Sequence, residues 1–193
     1  APALAKFLPL HPGLKIDLSI TDRWVNLAEE GYDVAIHVTG DPQLNLVARP
    51  LAPVRRKLCA TPDYFRRKGI PQTPADLVAH NCLDYTRSGE PGRWRFTGPE
   101  GEIAVPVNGP LHVDDDEALS QAVLGGLGVG LLPTFIIGKD LQSGNLQAVL
   151  SEYIPVERYV YAMYLPTRHL PSKVRVFIDF MISHIGEEPY WDR

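Results

Sequence analysis

The stretch from Val107 to Leu150 limits the possible folds more than any other part of the sequence. A short apolar run (Pro110-Leu111-His112-Val113) leads into four consecutive carboxylates, Asp114 to Glu117. Asp114 reads as the N-cap of a helix and Glu117, three positions on, as its capping-box partner. The remaining carboxylates sit in the first turn, where the helix dipole favours negative charge. Ala118, Leu119, Ala122 and Val123 recur at helical spacing and form one apolar face. Gly125 and Gly126 supply the left-handed conformation that ends a helix. Val129, Leu131 and Leu132 are too short a run for a helix and read as a buried strand. Pro133 then opens a second helix. This strand–helix–strand–helix order belongs to layered α/β architectures.

The rest of the chain repeats the alternation. Ala1 to Leu10 reads as a helix with Leu4, Phe7 and Leu8 on one face, ended by Pro12-Gly13. Alternation of Leu14, Ile16, Leu18 and Ile20 predicts a strand over Lys15 to Ile20. Asp22 is the expected N-cap of a helix running to Glu30, with Gly31 just past its end. Strands are expected at Asp33 to Val38, Leu46 to Leu51, Leu58 to Thr61, Cys82 to Tyr85 and Tyr159 to Leu165. Helices are expected from Pro62, at Ala75 to Val78 and at Pro171 to His184. Trp94 to Thr97 and Glu102 to Val107, joined by Gly98-Pro99-Glu100-Gly101, read as a hairpin.

With 193 residues the chain builds either one large domain or two small ones. Pro-flanked segments near Arg49–Pro53 and Ser151–Pro155 read as two crossings between lobes. They imply a discontinuous first subdomain, residues 1–52 plus 155–193, and a second at 53–154. A cleft at strand ends is where small ligands bind in such folds.

A net charge of −4 leaves no electrostatic footprint for nucleic acid on this chain. The basic runs Arg55-Arg56-Lys57 and Arg66-Arg67-Lys68 read as solvated faces. No apolar stretch reaches membrane-spanning length, and Ala1 to Leu10 reads as a helix, not as a secretory signal. Cys59 and Cys82 lie in apolar segments without metal-ligand spacing and read as buried structural thiols, with a redox pair as the alternative. No Gly-x-Ser-x-Gly elbow and no phosphate loop occurs; the glycines of Gly125 to Gly130 precede a strand, where a nucleotide loop follows one.

Several segments, in order, resemble the effector-binding domain of LysR-type transcriptional regulators. They are Leu4 to Leu8 with His11 to Leu18, Leu27 to His37, Leu46 to Leu51, Cys59 to Phe65, and Pro71 to Leu83 followed by Trp94 and Phe96. The resemblance covers nearly the whole chain and implies two Rossmann-like subdomains joined by two crossover strands, the type 2 periplasmic-binding-protein-like fold. It implies effector sensing in the cytoplasm, in a homodimer or homotetramer, without catalysis, cofactor, metal or membrane. The DNA-binding winged helix-turn-helix, the linker helix and the domain's first strand have no counterpart in these residues. The resemblance therefore reads the sequence as an incomplete record, with DNA bound through the missing N-terminal part. In this family the Ala1–Leu10 helix pairs with the helix near Glu117–Leu124 of a partner.

The resemblance also carries over an effector pocket in the inter-lobe cleft. From the first lobe come Thr21, Asp22, His37, Val38 and Thr39; from the second come Tyr85, Asp114, Asp115, Asp116, Pro133 and Thr134. Each has a plainer reading. Thr21 and Asp22 cap a helix, His37 is a satisfied structural histidine, Tyr85 is core with its hydroxyl at the surface, and the three aspartates cap a helix start. The acidic run competes for helix N–H groups and repels anions, so a neutral, phenolic or basic effector, or none at all, is expected. The rival readings are a solute-binding protein of an importer and a deaminase-like lyase on the same scaffold; the second lacks an acid–base pair.

Overall fold

The computed structural model describes residues 2–21, 23–87, 90–156, 158–186, 189, 191 and 192, with the side chain of Pro2 left out. The chain divides into two compact units, Ala1–Pro53 with Glu157–Tyr190, and Val54–Val156 with Trp191–Arg193.

The first unit holds α1 (Pro2–Phe7), α2 (Leu27–Glu30), β1 (Ala35–Thr39), most of β2 (Val47–Val54), β10 (Arg158–Tyr164) and α6 (Ser172–Ile185). Its sheet has the order β1-β10-β2, with β1 antiparallel to β10. Phe7, 1% exposed, meets the rings of Phe177 and Phe180 on α6 at centroid distances of 5.5 and 5.0 Å. Those edge and tilted contacts fasten α1 to α6. Val174, Ile178 and Ile185 form the buried stripe of α6, and Ala162 and Met163 the buried centre of β10.

The second unit holds β3 (Arg56–Ala60), α3 (Pro62–Lys68), β4 (Cys82–Tyr85), the hairpin β5 (Arg93–Gly98) and β6 (Gly101–Pro106), β7 (His112–Val113), α4 (Asp116–Leu124), β8 (Val129–Pro133), α5 (Thr134–Ser143) and β9 (Gln147–Val149). Its sheet runs β7-β4-β8-β3-β9. β4 is parallel to β7 and β8; β3 is antiparallel to β8 and β9. Successive residues of a strand face opposite sides. Accordingly Leu58, Ala60 and Cys82 join one core with Tyr64, Leu77 and the hairpin's Trp94, Phe96 and Val105. Cys59 and Leu83 join the other with Leu119, Val123 and Ile137 of α4 and α5.

The segment Pro71 to Leu83 is held by local polar chemistry. The Asp76 carboxylate accepts from the backbone N–H groups of Gln72 and Thr73, both at 2.9 Å, as the closing half of a capping box. Those bonds hold its carboxyl below the usual carboxylate range. The Tyr64 hydroxyl accepts from the Asn81 N–H at 3.0 Å and lies 3.3 Å from Nδ1 of His80. Burial pushes the His80 pKa down and the Tyr64 pKa up. Gly109 is required here: a Cβ at this position would stand 2.1 Å from the Cys82 carbonyl oxygen.

Four expectations need correction. Lys15 to Ile20 forms no strand, and Leu18 and Ile20 are 58% and 88% exposed. Alternation decides which face a side chain takes, but a strand also needs a neighbour for its N–H and C=O groups, and none pairs with this segment among the described residues. Helix α2 starts later than expected, at Leu27, because the Asn26 side chain accepts from Ala28 and Glu29 N–H; Asp22 lies outside the described residues. Asp115, not Asp114, caps α4 by accepting from Ala118 N–H at 2.7 Å. Of the two glycines after α4 only Gly126 is left-handed, at φ 74°; Gly125 keeps φ −68°. Trp191 and Asp192 group with the second unit. There the Trp191 carbonyl oxygen lies where a Cβ on Gly138 would meet it at 2.4 Å.

Candidate functional site

In the second unit the parallel strands bring three chain exits to one edge of the sheet. Tyr85 stands beside Val113, and Leu83 beside Gly130, so β4, β7 and β8 end together. They release Thr86, Asp114 and Thr134 on the same side. β3 enters at this edge, with Arg56 opposite Pro133. Helices α4 and α5 therefore both start there, with their backbone N–H groups toward the strand ends.

The two helix starts differ in charge. At α4, Asp115 is spent on the cap, and Asp114 is paired with the Arg87 guanidinium at 3.1 Å. Asp116, half-buried, opens the helix itself. At α5, Pro133 takes the cap position without a side-chain hydrogen bond. Thr134, 5% exposed, donates its N–H and its hydroxyl to the Arg55 carbonyl oxygen at 2.9 and 3.1 Å. The Arg55 guanidinium in turn meets the buried Asp192 carboxylate at 2.5 Å. The structure thus gathers Tyr85, Asp114, Asp115, Asp116, Pro133 and Thr134 at one edge, and adds Arg55, Arg87 and Asp192, which the sequence reading did not single out. Mid-helix Gly138 was the available signal for the docked tail, since glycine inside a helix marks a close approach. The run Arg55-Arg56-Lys57 is not only a solvated face, because Arg55 carries this ion pair and Lys57 donates to the Ser151 hydroxyl at 3.3 Å.

In the first unit the candidate residues lie at the end of β1. His37 and Thr39 alternate with half-buried Val38, opposite Tyr161, Tyr159 and Val160 of β10. The Trp24 indole, 42% exposed, packs against the His37 imidazole in a tilted contact, with centroids 3.9 Å apart. Trp24 was missed because nothing in the sequence ties its loop to β1. That loop is held by Arg23, whose guanidinium donates to both Glu30 carboxylate oxygens and to the Trp24 carbonyl. The Glu30 carboxylate also accepts from Asn26 N–H at 3.0 Å. Chiefly through the hydrogen bonds from Arg23, and then that from Asn26, its carboxyl is pushed down to about 2. Thr21 and Thr39 serve local turns: Thr21 Oγ1 accepts from Arg23 N–H at 3.4 Å, and Thr39 Oγ1 accepts from Asp41 N–H at 3.0 Å.

Cys59 and Cys82 are both free and buried, one on each side of the second unit's sheet. Burial pushes each thiol up to about 12. Among the described residues no group of three His, Cys, Asp or Glu is placed to hold a metal ion, and no helix is long and apolar enough to cross a membrane.

Comparison with known proteins agrees with this geometry. The LysR substrate-binding domain family matches residues 1–186. The HTH-type transcriptional regulator DmlR of Escherichia coli is 34% identical over 188 residues, spanning 97% of this chain and 61% of DmlR. The regulatory domain of CrgA, a LysR-type transcriptional regulator from Neisseria meningitidis, superposes with a TM-score of 0.81 at 27% identity, covering 96% of this chain and 91% of that domain. The full-length Vibrio cholerae virulence activator AphB gives 0.82 at 28% identity, covering 95% of this chain and 62% of AphB. The chain spans about three fifths of the length of the curated relatives it matches. Its fold is the two-lobe, type 2 periplasmic-binding-protein-like fold of these regulatory domains.

Proposed function

Because the chain belongs to the LysR substrate-binding domain family, the effector-binding domain of LysR-type transcriptional regulators, we propose that it is the sensing part of a longer bacterial regulator working in the cytoplasm. The observation that carries this reading is the shared edge of the second unit, where β4, β7 and β8 end beside the starts of α4 and α5. Convergent strand ends and helix N-termini are the usual seat of a small ligand in α/β folds. Tyr85, Pro133 and Thr134 contact the effector at this edge; the first unit has a candidate group of its own, His37 with the Trp24 indole against it. Thr21, Val38 and Thr39 shape that second group.

The α4 start is already filled by its own carboxylates, so it favours a neutral, phenolic or basic group over a carboxylate. A dicarboxylate that bound tightly at these strand ends would overturn that preference. The effector acts by population shift, stabilising one arrangement of the domain over another. The regulator acts as a homodimer or homotetramer through α1 and α4, near which Leu10 and Leu127 are 65% and 42% exposed. DNA is bound by a segment other than this chain, whose net charge of −4 is unsuited to a phosphate backbone. The importer reading is not favoured, since the curated relatives are transcriptional regulators, and no catalytic role is assigned.

The test is a gel shift. The full-length regulator retards promoter DNA from its own locus, and the 193-residue chain does not. Retardation by the isolated chain with equal affinity would overturn the division of labour.

A further inference from the structure

The first unit contains a polar cavity whose lining shares no residue with the candidate group on β1. It has a volume of about 280 Å³ and is lined by Arg49 on β2, Tyr164 on β10, and Leu170, Arg175, Ile178 and Asp179 on and before α6. Six of the thirteen arginines, Arg23, Arg55, Arg66, Arg67, Arg87 and Arg95, have a carboxylate partner. The guanidinium groups of Arg49 and Arg175 have no hydrogen bond or ion pair among the described residues, and both residues are exposed. Two unpartnered guanidinium groups on different elements line one cavity, which is the donor arrangement that recognises a planar oxyanion. The Asp179 carboxylate lies one turn beyond Arg175 but makes no ion pair with it among the described residues. Two cations against one anion leave the lining with a single positive charge. Leu170 and Ile178, the latter 3% exposed, give the cavity an apolar wall.

We propose that this cavity is a binding site for a small monocarboxylate with a short apolar body, separate from the strand-end site. The carboxylate sits between Arg49 and Arg175 and neutralises the lining. Its apolar body lies on Leu170 and Ile178, and the Tyr164 ring closes the side. A second negative charge on the ligand meets Asp179 and is disfavoured.

The test is a titration of the chain with hexanoate, and in parallel with hexanamide and inorganic phosphate, followed by NMR of the arginine Nε–H signals and by calorimetry. Hexanoate is expected to move the Arg49 and Arg175 signals saturably, with the Trp24 indole signal unmoved and hexanamide inert. Arg49→Gln and Arg175→Gln each weaken hexanoate binding about tenfold. Asp179→Asn strengthens it, a gain that mere damage to the fold would not produce. The proposal is overturned if hexanoate leaves both arginine signals in place, if hexanamide binds as well, if phosphate binds more tightly, or if the Arg49→Gln/Arg175→Gln double variant binds hexanoate like the parent.

Discussion

The Asp84 carboxylate accepts a hydrogen bond from the Trp94 indole N–H at 2.8 Å, with Asp84 1% exposed and Trp94 5%. Its second oxygen accepts from Gly92 N–H at 2.8 Å. One buried carboxylate on β4 therefore fastens both the entry to the β5–β6 hairpin and its large aromatic side chain onto the sheet. Removing it strands the buried Trp94 indole N–H and the half-buried Gly92 N–H. Asp84→Ala is expected to destabilise the chain by about 3 kcal/mol, read from urea unfolding. Asp84→Asn recovers part of that, because one amide oxygen still accepts while its NH2 group faces the other donor. An Asp84→Ala midpoint equal to the parent's would show the contact to be idle.

The start of α4 gives a second prediction. Asp115→Ala removes the cap on Ala118 N–H and costs about 1 kcal/mol, whereas Asp114→Ala loses only an exposed pair with Arg87 and costs about 0.5 kcal/mol or less. The reverse order in urea midpoints would return the cap to Asp114.

These two cases also show what the sequence made legible. The order from β7 through α5 follows from signals within a few residues of each other: carboxylates, an apolar stripe, glycines and Pro133. The choice between Asp114 and Asp115 was not legible, since adjacent aspartates give the same local signal and the deciding partner, Arg87, lies in a distant loop. Lys15 to Ile20 has the alternation of a strand, yet strand formation depends on a neighbour that the local sequence does not specify. Family resemblance carries Tyr85, Pro133 and Thr134 to an effector pocket, and the sheet register puts all three at one edge of the second unit. Trp24 and Asp192 escaped notice, and Arg55 read only as part of a solvated face, because their roles depend on ring contacts and ion pairing with residues distant in sequence.

The cysteines give a third prediction. With both thiols raised to about 12 by burial, neither forms appreciable thiolate near neutral pH. Ellman's reagent is expected to leave the native chain unmodified and to titrate both Cys59 and Cys82 in urea. The native state keeps protons that the unfolded chain sheds above the ordinary value of 9.0, so stability falls as pH rises from about 9 toward 12. Rapid labelling of the folded chain at pH 7.5 would contradict this burial.

The Glu30 carboxyl gives a fourth. Its value of about 2 against an ordinary 4.5 means that the Arg23–Glu30 clamp is intact above the ordinary value and is lost as pH falls through about 2. The Glu30 side-chain carbon signal is expected to titrate near 2, and Arg23→Gln to move the midpoint back toward 4.5. A parent midpoint already at 4.5 would remove the clamp that holds the Trp24 loop over His37.

The central claim is that this chain senses a small molecule through its strand ends. Its most direct test is a backbone NMR titration of the chain with a compound that changes transcription from a promoter the full-length regulator controls. The expected result is saturable movement of the Tyr85 and Thr134 amides at the shared edge of the second unit. A compound that switches transcription while leaving both signals in place would contradict the account.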